Sequence, residues 1–291
     1  MNIKLDVKDM LNCYLILKEK IEELSKNDIL EFEISNENVD FKAWVDLSQI
    51  LFCKMLTPRL EQTYLKMRFK KLNKENSFHH ENETIEEKYG SQSTFATIDK
   101  NKHPSYLVHY IKALENVEVD KRLRILNLGV NSGEEFEVIK RYSKNFKNLE
   151  LVGVDYCSSA IEQAKKNFED ENISFIVGDI TKLEELNLGK FDLIISIGTL
   201  QSSNLDFNKV FMNIVQNYLD KNGAMILGFP NCRWIDKEMI YGAMVKNYNF
   251  SELSLLFKDV IYCKKYLQQK KFRVTITGKD YIFLTATSIR K

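Results

Sequence analysis

The chain has little of what would place it outside a cell or in a membrane. Its five cysteines are far apart and include no CxxC pair, which disfavours a disulfide framework or a zinc site and predicts reduced thiols. No apolar run approaches the ~20 residues that span a bilayer, and the N-terminal stretch MNIKLDVKDM lacks the apolar core of a signal peptide. We therefore expect a cytoplasmic protein that does not enter a membrane.

The chain also has no excess of charge of either sign. It carries 42 Lys and Arg against 41 Asp and Glu, a net charge of +1, so its bulk charge attracts neither nucleic acid nor an anionic membrane. Its 291 residues, of which 44% are hydrophobic, can form one large α/β domain and a smaller unit. The oligomeric state stays open.

The first part of the chain, residues 1–75, has the pattern of a small α+β appendage. Two helices are predicted over Met10–Leu24 and Phe41–Leu56, the second closed by Pro58. Two alternating strands are predicted over Leu30–Ser35 and Tyr64–Leu72.

Residues 76–103 follow this unit, and their polar, aperiodic sequence predicts a linker or a lid. Tyr89 or Phe95 in this segment could close over a ligand. The adjacent His79 and His80 point apart in most backbones and have no third ligand nearby in the sequence, so we expect solvated side chains and no metal.

Over residues 104–291, helices alternate with strands whose apolar runs are typical of a parallel sheet covered on both faces. The predicted fold class is α/β, with a seven-stranded Rossmann-like sheet that ends in an antiparallel hairpin. The strands are predicted over 124–129, Leu149–Asp155, Ile173–Asp179, Phe191–Gly198, Ala224–Phe229 (entered through a DKNG turn), Phe272–Thr277 and Tyr281–Thr287.

The stretch RILNLGVNSGEEFEVI, residues 124–139, has the pattern of a strand, a glycine-containing turn and the start of a helix. In open α/β sheets, such a turn brings the backbone close to a nucleotide-like ligand. Glu134 and Glu135 fall in the first turn of the helix, where they would repel a pyrophosphate. The turn therefore favours a ligand without phosphate that carries positive charge, such as S-adenosylmethionine (SAM) with its ammonium and sulfonium groups.

Five segments in order, together with the hairpin, resemble the motifs of class I SAM-dependent methyltransferases: LNLGVNSG, VGVDYCSSAI, GDI, FDLIISIGTLQ and YLDKNGAMILG. The resemblance covers roughly Pro104 to Lys291 and implies SAM as the cofactor. The cofactor-binding residues that it implies are Asn127, Gly129, Val130, Asn131, Gly133, Asp155, Tyr156, Asp179, Ile180, Ser196 and Ile197.

Within this set, the resemblance gives two acidic residues a role. It implies that Asp155 holds the ribose hydroxyls and that Asp179 meets the adenine amino group. Each has a structural alternative as a helix cap or turn residue. Two positions depart from the family pattern: Asn127 stands where the family usually has an acid, and Asn131 replaces a glycine in a turn that Asn tolerates.

Methyl transfer from a sulfonium is a direct displacement that needs an aligned acceptor and exclusion of water, so no catalytic residue is assigned. Cys232 is expected to be a small core residue and not a nucleophile. The insertion after strand five also holds Tyr248 and Asn249. The candidate acceptor-binding residues follow strands four and five, although the aromatic ones could equally pack the insertion onto the sheet; they are Gln201, Asn231, Arg233, Trp234 and Tyr241.

We predict a SAM-dependent methyltransferase whose acceptor is a small molecule or a protein. One alternative is a non-catalytic methyltransferase-like binding protein, because the first motif is altered. Another is an RNA methyltransferase that uses a basic strand face formed by Lys66, Arg68 and Lys70. If the two strands of the appendage pair, Glu31 and Glu33 are expected to neutralise this face.

Overall fold

The structure, a computed structural model, describes residues 3–76, 98–202, 205–243 and 253–290. They form two compact units: a small unit of residues 3–76 and Arg233–Tyr241, and a large unit that holds the remaining described residues. The predictions made for the following residues lie outside the described part of the chain: His79, His80, Tyr89, Phe95, Tyr248 and Asn249.

The small unit is a four-stranded sheet with two helices packed against it. Its elements are β1 (Lys4–Leu5), α1 (Met10–Glu23), β2 (Ile29–Ser35), α2 (Phe41–Ile50), β3 (Cys53–Leu60) and β4 (Tyr64–Lys71), and the strand order is β1-β2-β4-β3. Along β4 the side chains of Leu65, Met67 and Phe69 are buried, because alternate residues of a strand point to the same face. They share a core with Leu17 of α1 and Trp44 of α2.

The predicted helix over Phe41–Leu56 is wrong at its C-terminal end. Helix α2 ends at Ile50, and Phe52 adopts a left-handed φ of 55° before β3 begins. Pro58 therefore does not close a helix but lies in an edge strand, where the pairing with β4 shifts register. Because proline has no backbone N–H, it is tolerated at such an irregular edge.

The outer face of β4 carries the basic residues Lys66, Arg68 and Lys70, and β2 runs antiparallel beside it. The register places Glu31 opposite Arg68 and Glu33 opposite Lys66. The Nε atom of Arg68 lies 3.1 Å from a carboxylate oxygen of Glu31. The expected pairing is thus present for Glu31, where it offsets part of the positive charge of this face, whereas Glu33 is buried and pairs with Lys4 over 3.6 Å.

The described residues of the large unit surround a seven-stranded sheet. Its strands are β5 (Arg124–Leu128), β6 (Glu150–Asp155), β7 (Ile173–Val177), β8 (Phe191–Ile197) and β9 (Leu219–Pro230), followed after β10 (Cys232–Ile235) and β11 (Glu238–Tyr241) by β12 (Phe272–Gly278) and β13 (Tyr281–Ser288). The order is β12-β13-β9-β8-β5-β6-β7, with β5 to β9 parallel and β13 antiparallel to both of its neighbours. The predicted fold class is confirmed.

The helices of the large unit connect these strands. They are α3 (Pro104–Asn116), α4 (Glu134–Tyr142), α5 (Ser158–Asn167), α6 (Phe207–Asn213), which continues as a π-helical turn over Ile214–Tyr218, and α7 (Leu253–Gln269). Within the sheet, β6 lies next to β5 on one side and β8 lies next to β5 on the other. This reversal of strand order opens a crevice at the carboxyl ends of the strands, where open α/β sheets bind ligands. No described helix is long and apolar enough to cross a membrane.

Two features of the large unit differ from the sequence prediction. Strand β9 begins at Leu219 and not at Ala224, so the DKNG segment belongs to the strand. Helix α7, over Leu253–Gln269, was not predicted, although Val260, Cys263 and Leu267 are buried in the core at helical spacing.

The hairpin formed by β10 and β11 leaves the large unit and joins the small one. The backbone oxygen of Met239 accepts a hydrogen bond of 3.2 Å from Gln49 of α2. Ile235 and Ile240 pack with Leu72 in a small apolar cluster, and Glu238 forms an ion pair with Lys54. The insertion after β9 thus supplies a structural piece of the small unit.

The core of the small unit can be tested with the change Met67→Ala, since Met67 is fully buried. We expect the free energy of unfolding of this unit to fall by about 2 to 5 kcal/mol, the cost of a cavity left by a large buried side chain. Denaturant unfolding followed by tryptophan fluorescence measures this, because the two tryptophans of the chain, Trp44 and Trp234, both belong to the small unit. The matched control is Lys66→Ala, on the opposite face of β4, and equal effects of the two changes would contradict the assignment.

Candidate cofactor site

The loop after β5 crosses the end of β6 and is held there by backbone hydrogen bonds. The N–H groups of Gly129 and Val130 donate to the carbonyl oxygen of Val154 over 2.8 and 3.2 Å. Gly129, Asn131 and Gly133 all have left-handed φ, of 76°, 46° and 95°. The expectation that the turn survives with asparagine in place of a glycine is therefore met by the backbone, because Asn is among the few residues that adopt this conformation readily.

Two of the glycine positions are set by close contacts inside the protein. A Cβ atom at Gly129 would lie 1.9 Å from the Oγ1 atom of Thr199, and one at Gly133 would lie 2.5 Å from the ring of Phe168. The Thr199 hydroxyl in turn donates to the carbonyl oxygen of Leu128 over 3.1 Å. The absence of a side chain at these two positions is thus required by packing, besides any role in ligand binding.

Asp155, at the end of β6, has both carboxylate oxygens fixed by the backbone. Its Oδ2 accepts from the N–H of Asn131 and its Oδ1 from the N–H of Cys157, each over 2.9 Å. Burial raises the pKa of the Asp155 carboxyl above its usual value, against the lowering effect of these N–H donors. The backbone N–H of Tyr156 also acts to lower this pKa. Because a carboxylate has about four lone-pair sites, Asp155 can still accept a further hydrogen bond. The neighbouring Tyr156 is 48% exposed.

A second carboxylate, Glu135 in the first turn of α4, is the centre of a buried network. Only 1% of its surface is exposed. Its Oε1 accepts from the Lys100 ammonium over 2.7 Å and from the Tyr106 hydroxyl over 3.4 Å, and its Oε2 accepts from Nδ2 of Asn127 over 3.3 Å. Burial acts to lower the pKa of Lys100, but the carboxylates of Glu135 and Glu134 raise it above its usual value, so this buried lysine is charged.

Glu134, the first residue of α4, is half-buried, and only one of its two carboxylate oxygens forms a hydrogen bond with another described side chain. Its Oε1 accepts from the hydroxyl of Ser132 over 2.9 Å, and burial raises its pKa. Its Oε2 is one of several buried atoms of this region that form no hydrogen bond with the described residues. The others in the large unit at this edge of the sheet are Oδ1 of Asn101, Oδ1 of Asn127, Oγ of Ser196, Oε1 of Gln201 and Oδ1 of Asn231.

These atoms have a common chemistry that bears on the ligand. Apart from the serine hydroxyl, all are oxygens that can only accept hydrogen bonds. Buried polar atoms are rarely left without a partner, because the desolvation cost is not repaid. A ligand that brings several N–H donors and positive charge would satisfy them.

Asp179 caps the 3-10 segment that follows β7, which is the structural alternative that the sequence also allowed. Its Oδ1 accepts from the backbone N–H of Thr181 over 2.8 Å and from the hydroxyl of Thr181 over 2.7 Å, at the start of the 3-10 segment Ile180–Leu186. Ile180 and Ile197 are buried. The role of Asp179 toward adenine stays a prediction.

The predicted acceptor-binding residues are divided between the two units. Gln201 and Asn231 belong to the large unit, where Asn231 donates from Nδ2 to the carbonyl oxygen of Lys279 over 3.1 Å. Arg233, Trp234 and Tyr241 belong to the small unit. A role in acceptor binding remains a prediction for all five.

The five cysteines all lie among the described residues, where they are buried and form no disulfide, and burial raises the pKa of the Cys232 thiol. A protonated, buried thiol is a poor nucleophile, so Cys232 has the character of the core residue that was expected.

Sequence reasoning missed the network around Glu135. Lys100 falls in a segment with the composition of a linker, and Tyr106 has the spacing of an ordinary core residue of α3. The one signal in the sequence was the adjacent residues Glu134 and Glu135. We interpreted both as part of the ligand site and did not expect either to pair with a lysine.

Residues 119–275 match the methyltransferase-domain family, a span of more than half of the chain. The chain belongs to this family. It is also similar to malonyl-(acyl-carrier protein) O-methyltransferase of Priestia megaterium, with 35% identity over 83 residues, or 28% of either chain. It thus spans less than a third of the length of this curated relative.

Two solved structures illustrate the structural likeness. The plantazolicin methyltransferase BpumL, in complex with S-adenosylhomocysteine (SAH), is 12% identical, with a TM-score of 0.46 over 66% of this chain and 88% of the other. The precorrin-6y C5,15-methyltransferase of Geobacter metallireducens is 11% identical, with a TM-score of 0.43 over 62% of this chain and 87% of the other.

The family match shows that the chain contains a methyltransferase domain, and the residues at the carboxyl edge of the sheet fit SAM at two points. The buried acceptor oxygens of Asn101, Asn127 and Glu134 suit the ammonium of the methionine part. The remaining lone pairs of Asp155 suit the two neighbouring hydroxyls of a ribose.

The Lys100–Glu135 pair can be tested by the change Lys100→Met. Removal of one partner leaves the other charge buried and uncompensated, so we expect the free energy of unfolding to fall by about 3 to 5 kcal/mol. Denaturant unfolding followed by circular dichroism measures the loss.

The matched control is Lys102→Met, since the side chain of Lys102 is 79% exposed and pairs only with Asp99 among the described residues. The double change Lys100→Met with Glu135→Gln removes both charges and should recover most of the loss. A loss for Lys100→Met no larger than the control's would contradict the assigned ion pair.

Proposed function

We propose that this protein transfers the methyl group of SAM to a small molecule or to a protein side chain. The observation that carries the choice of acceptor class is the charge buried at the carboxyl edge of the sheet. Glu135 is buried there, Glu134 and Asp155 are half-buried, and Lys100, which pairs with Glu135, supplies one positive charge against the three carboxylates. An acceptor rich in phosphate would be repelled by such an edge, whereas a neutral or cationic acceptor would not.

The chain's contribution to the reaction is placement. SAM supplies an electrophilic methyl group on a positively charged sulfur. Asp155, already fixed by two backbone N–H groups, would orient the ribose, and the loop from Gly129 to Gly133 would lie against the adenosine. Holding an acceptor in line with the methyl group and excluding water are then the main requirements.

Residues at and just after the end of β8 support a position for the acceptor at this edge of the sheet. This strand lies next to β5, so its last residues border the crevice on the side opposite Asp155. Ser196 and Gln201 each have a buried oxygen that forms no hydrogen bond with the described residues. We propose that these two side chains contact the cofactor or the acceptor. The role of Arg233, Trp234 and Tyr241 in acceptor binding stays a prediction.

Cofactor binding can be tested by calorimetric titration with SAM and SAH, with Asp155→Asn as the variant. The amide can accept with only one atom and carries no charge, so we expect the affinity to fall about tenfold or more, as when a charge-assisted hydrogen bond is lost. The control is Asp170→Asn. Asp170 lies in the loop that enters β7, hence at the opposite edge of the sheet from Asp155, and pairs with Lys140.

If the wild-type protein binds neither ligand, the site is that of a domain that has lost catalysis, and the proposed function fails. If it binds SAM and the two variants lose the same affinity, the role of Asp155 is wrong and the cofactor assignment stands.

The acceptor class can be tested with SAM labelled in its methyl group, incubated with fractions of a cell extract. We expect label in the small-molecule or protein fraction, removed by protease in the latter case and unaffected by ribonuclease. The Asp155→Asn variant serves as the control for transfer by other enzymes. Label that ribonuclease removes would overturn the proposed acceptor class in favour of RNA, and replacement of Lys66, Arg68 and Lys70 by Glu should then abolish RNA binding.

A further inference from the structure

The residue at the end of β5 presents a chemical problem for this cofactor. Class I methyltransferases usually have an acid there, and this chain has Asn127. A carboxylate accepts hydrogen bonds with either oxygen, whereas an amide accepts at one end and donates at the other. Turned the wrong way, the amide of Asn127 would direct its N–H groups toward the donors of an ammonium.

The structure shows what fixes the orientation of this amide. Its Nδ2 lies 3.3 Å from Oε2 of Glu135. A carboxylate can only accept, so the nitrogen end of the amide must be the end that faces Glu135. The other end, Oδ1, is left buried, and it accepts no hydrogen bond from the described residues.

Glu135 is itself held in place on several sides. The Lys100 ammonium and the Tyr106 hydroxyl both donate to its Oε1, over 2.7 and 3.4 Å. The Tyr110 hydroxyl donates to its backbone oxygen over 3.4 Å. Its place in the first turn of a helix also favours a negative charge. The carboxylate that faces Asn127 is therefore both charged and immobile.

We propose that Glu135 is a positioning residue that locks the amide of Asn127, so that Oδ1 is presented to the ammonium of the cofactor. Lys100 is the counter-ion that makes a buried carboxylate possible at this place. The proposal rests on the proposed function, because it presupposes that SAM binds here.

The same arrangement also identifies which residue supplies the negative charge that an acid at position 127 would carry. Lys100 cancels the charge of Glu135, so Asn127, Glu135 and Lys100 together are neutral. Glu134 is the neighbouring, half-buried carboxylate, and its Oε2 atom, which is buried, forms no hydrogen bond with the described residues. The acid of the strand end is thus replaced by two residues, Asn127 for the hydrogen bond and Glu134 for the charge.

The test is an exchange of the two side chains, measured by calorimetric titration with SAM. In Glu135→Gln, the amide of the new glutamine faces the amide of Asn127, so either end of the Asn127 amide can face the cofactor. We therefore expect the affinity for SAM to fall about tenfold. In the double variant Asn127→Asp with Glu135→Gln, the net charge is that of the wild type, and the new carboxylate keeps a hydrogen-bond donor because the glutamine amide faces it. Since a carboxylate accepts with both oxygens, the affinity of the double variant should return to within about threefold of the wild type.

The single change Asn127→Asp gives a second readout that does not depend on the ligand. It places two carboxylates within hydrogen-bond distance, so they must share a proton and the pKa of one of them rises. Stability from a group with a raised pKa is present at low pH and is lost as the pH rises through that pKa. The melting temperature of this variant, relative to wild type, should therefore fall from about pH 5 to about pH 8, and that of the double variant should not.

The matched control is Glu137→Gln, the same chemical change in the same helical turn. The side chain of Glu137 is 37% exposed and pairs with Arg141, so SAM affinity should not change. Melting curves verify that each variant is folded, since Glu135→Gln leaves the buried Lys100 without its partner.

Two results would overturn the inference while leaving the proposed function intact. One is a folded Glu135→Gln variant that binds SAM as well as the control does. The other is a folded double variant that binds no better than Glu135→Gln. Failure of the wild type to bind SAM overturns the proposed function, and the inference falls with it.

Discussion

The buried ion pair between Lys100 and Glu135 is the constraint on which the geometry of the cofactor site depends. It joins the segment before α3 to the first turn of α4, and through Asn127 it also reaches the end of β5. A single buried charge is costly, but a pair at 2.7 Å with further hydrogen bonds recovers much of that cost. Neither partner can leave without stranding the other, so these three parts of the chain keep one arrangement.

The loop that follows β5 is constrained in a different way, by backbone conformation and close packing. Thr199 and Phe168 occupy the space that side chains at Gly129 and Gly133 would need. Asn131 shares the left-handed conformation, and its N–H donates to Asp155. The substitution of asparagine for glycine is therefore compatible with the loop at position 131, whereas a larger residue at Gly129 would displace Thr199 from the end of β8.

The features that could be predicted from the sequence are those with a local signal. The strands from β5 to β9 and the terminal hairpin follow from apolar runs, and the cofactor loop follows from its glycines. The end of α2 could not be predicted, because Pro58 has the same local pattern at a helix end as in an irregular edge strand. The pairing of Lys100 with Glu135 joins residues 35 positions apart and has no periodicity. The attachment of Arg233–Tyr241 to the small unit is of the same kind.

The altered first motif shows that the side-chain contacts in the structure describe this site more fully than the sequence motif does. With an acid replaced by Asn127, the motif alone suggests weakened recognition of a cation. In the structure, the region still contains a fixed acceptor oxygen at Asn127 and, at Glu134, a carboxyl oxygen that forms no hydrogen bond with the described residues. In the proposed arrangement, Asn127, which is held by Glu135, would supply the hydrogen-bond acceptor, and Glu134, which accepts from Ser132, would supply the charge. The departure from the family pattern is therefore not in itself a sign of lost catalysis, because acceptor oxygens and a carboxyl group remain at this edge of the sheet.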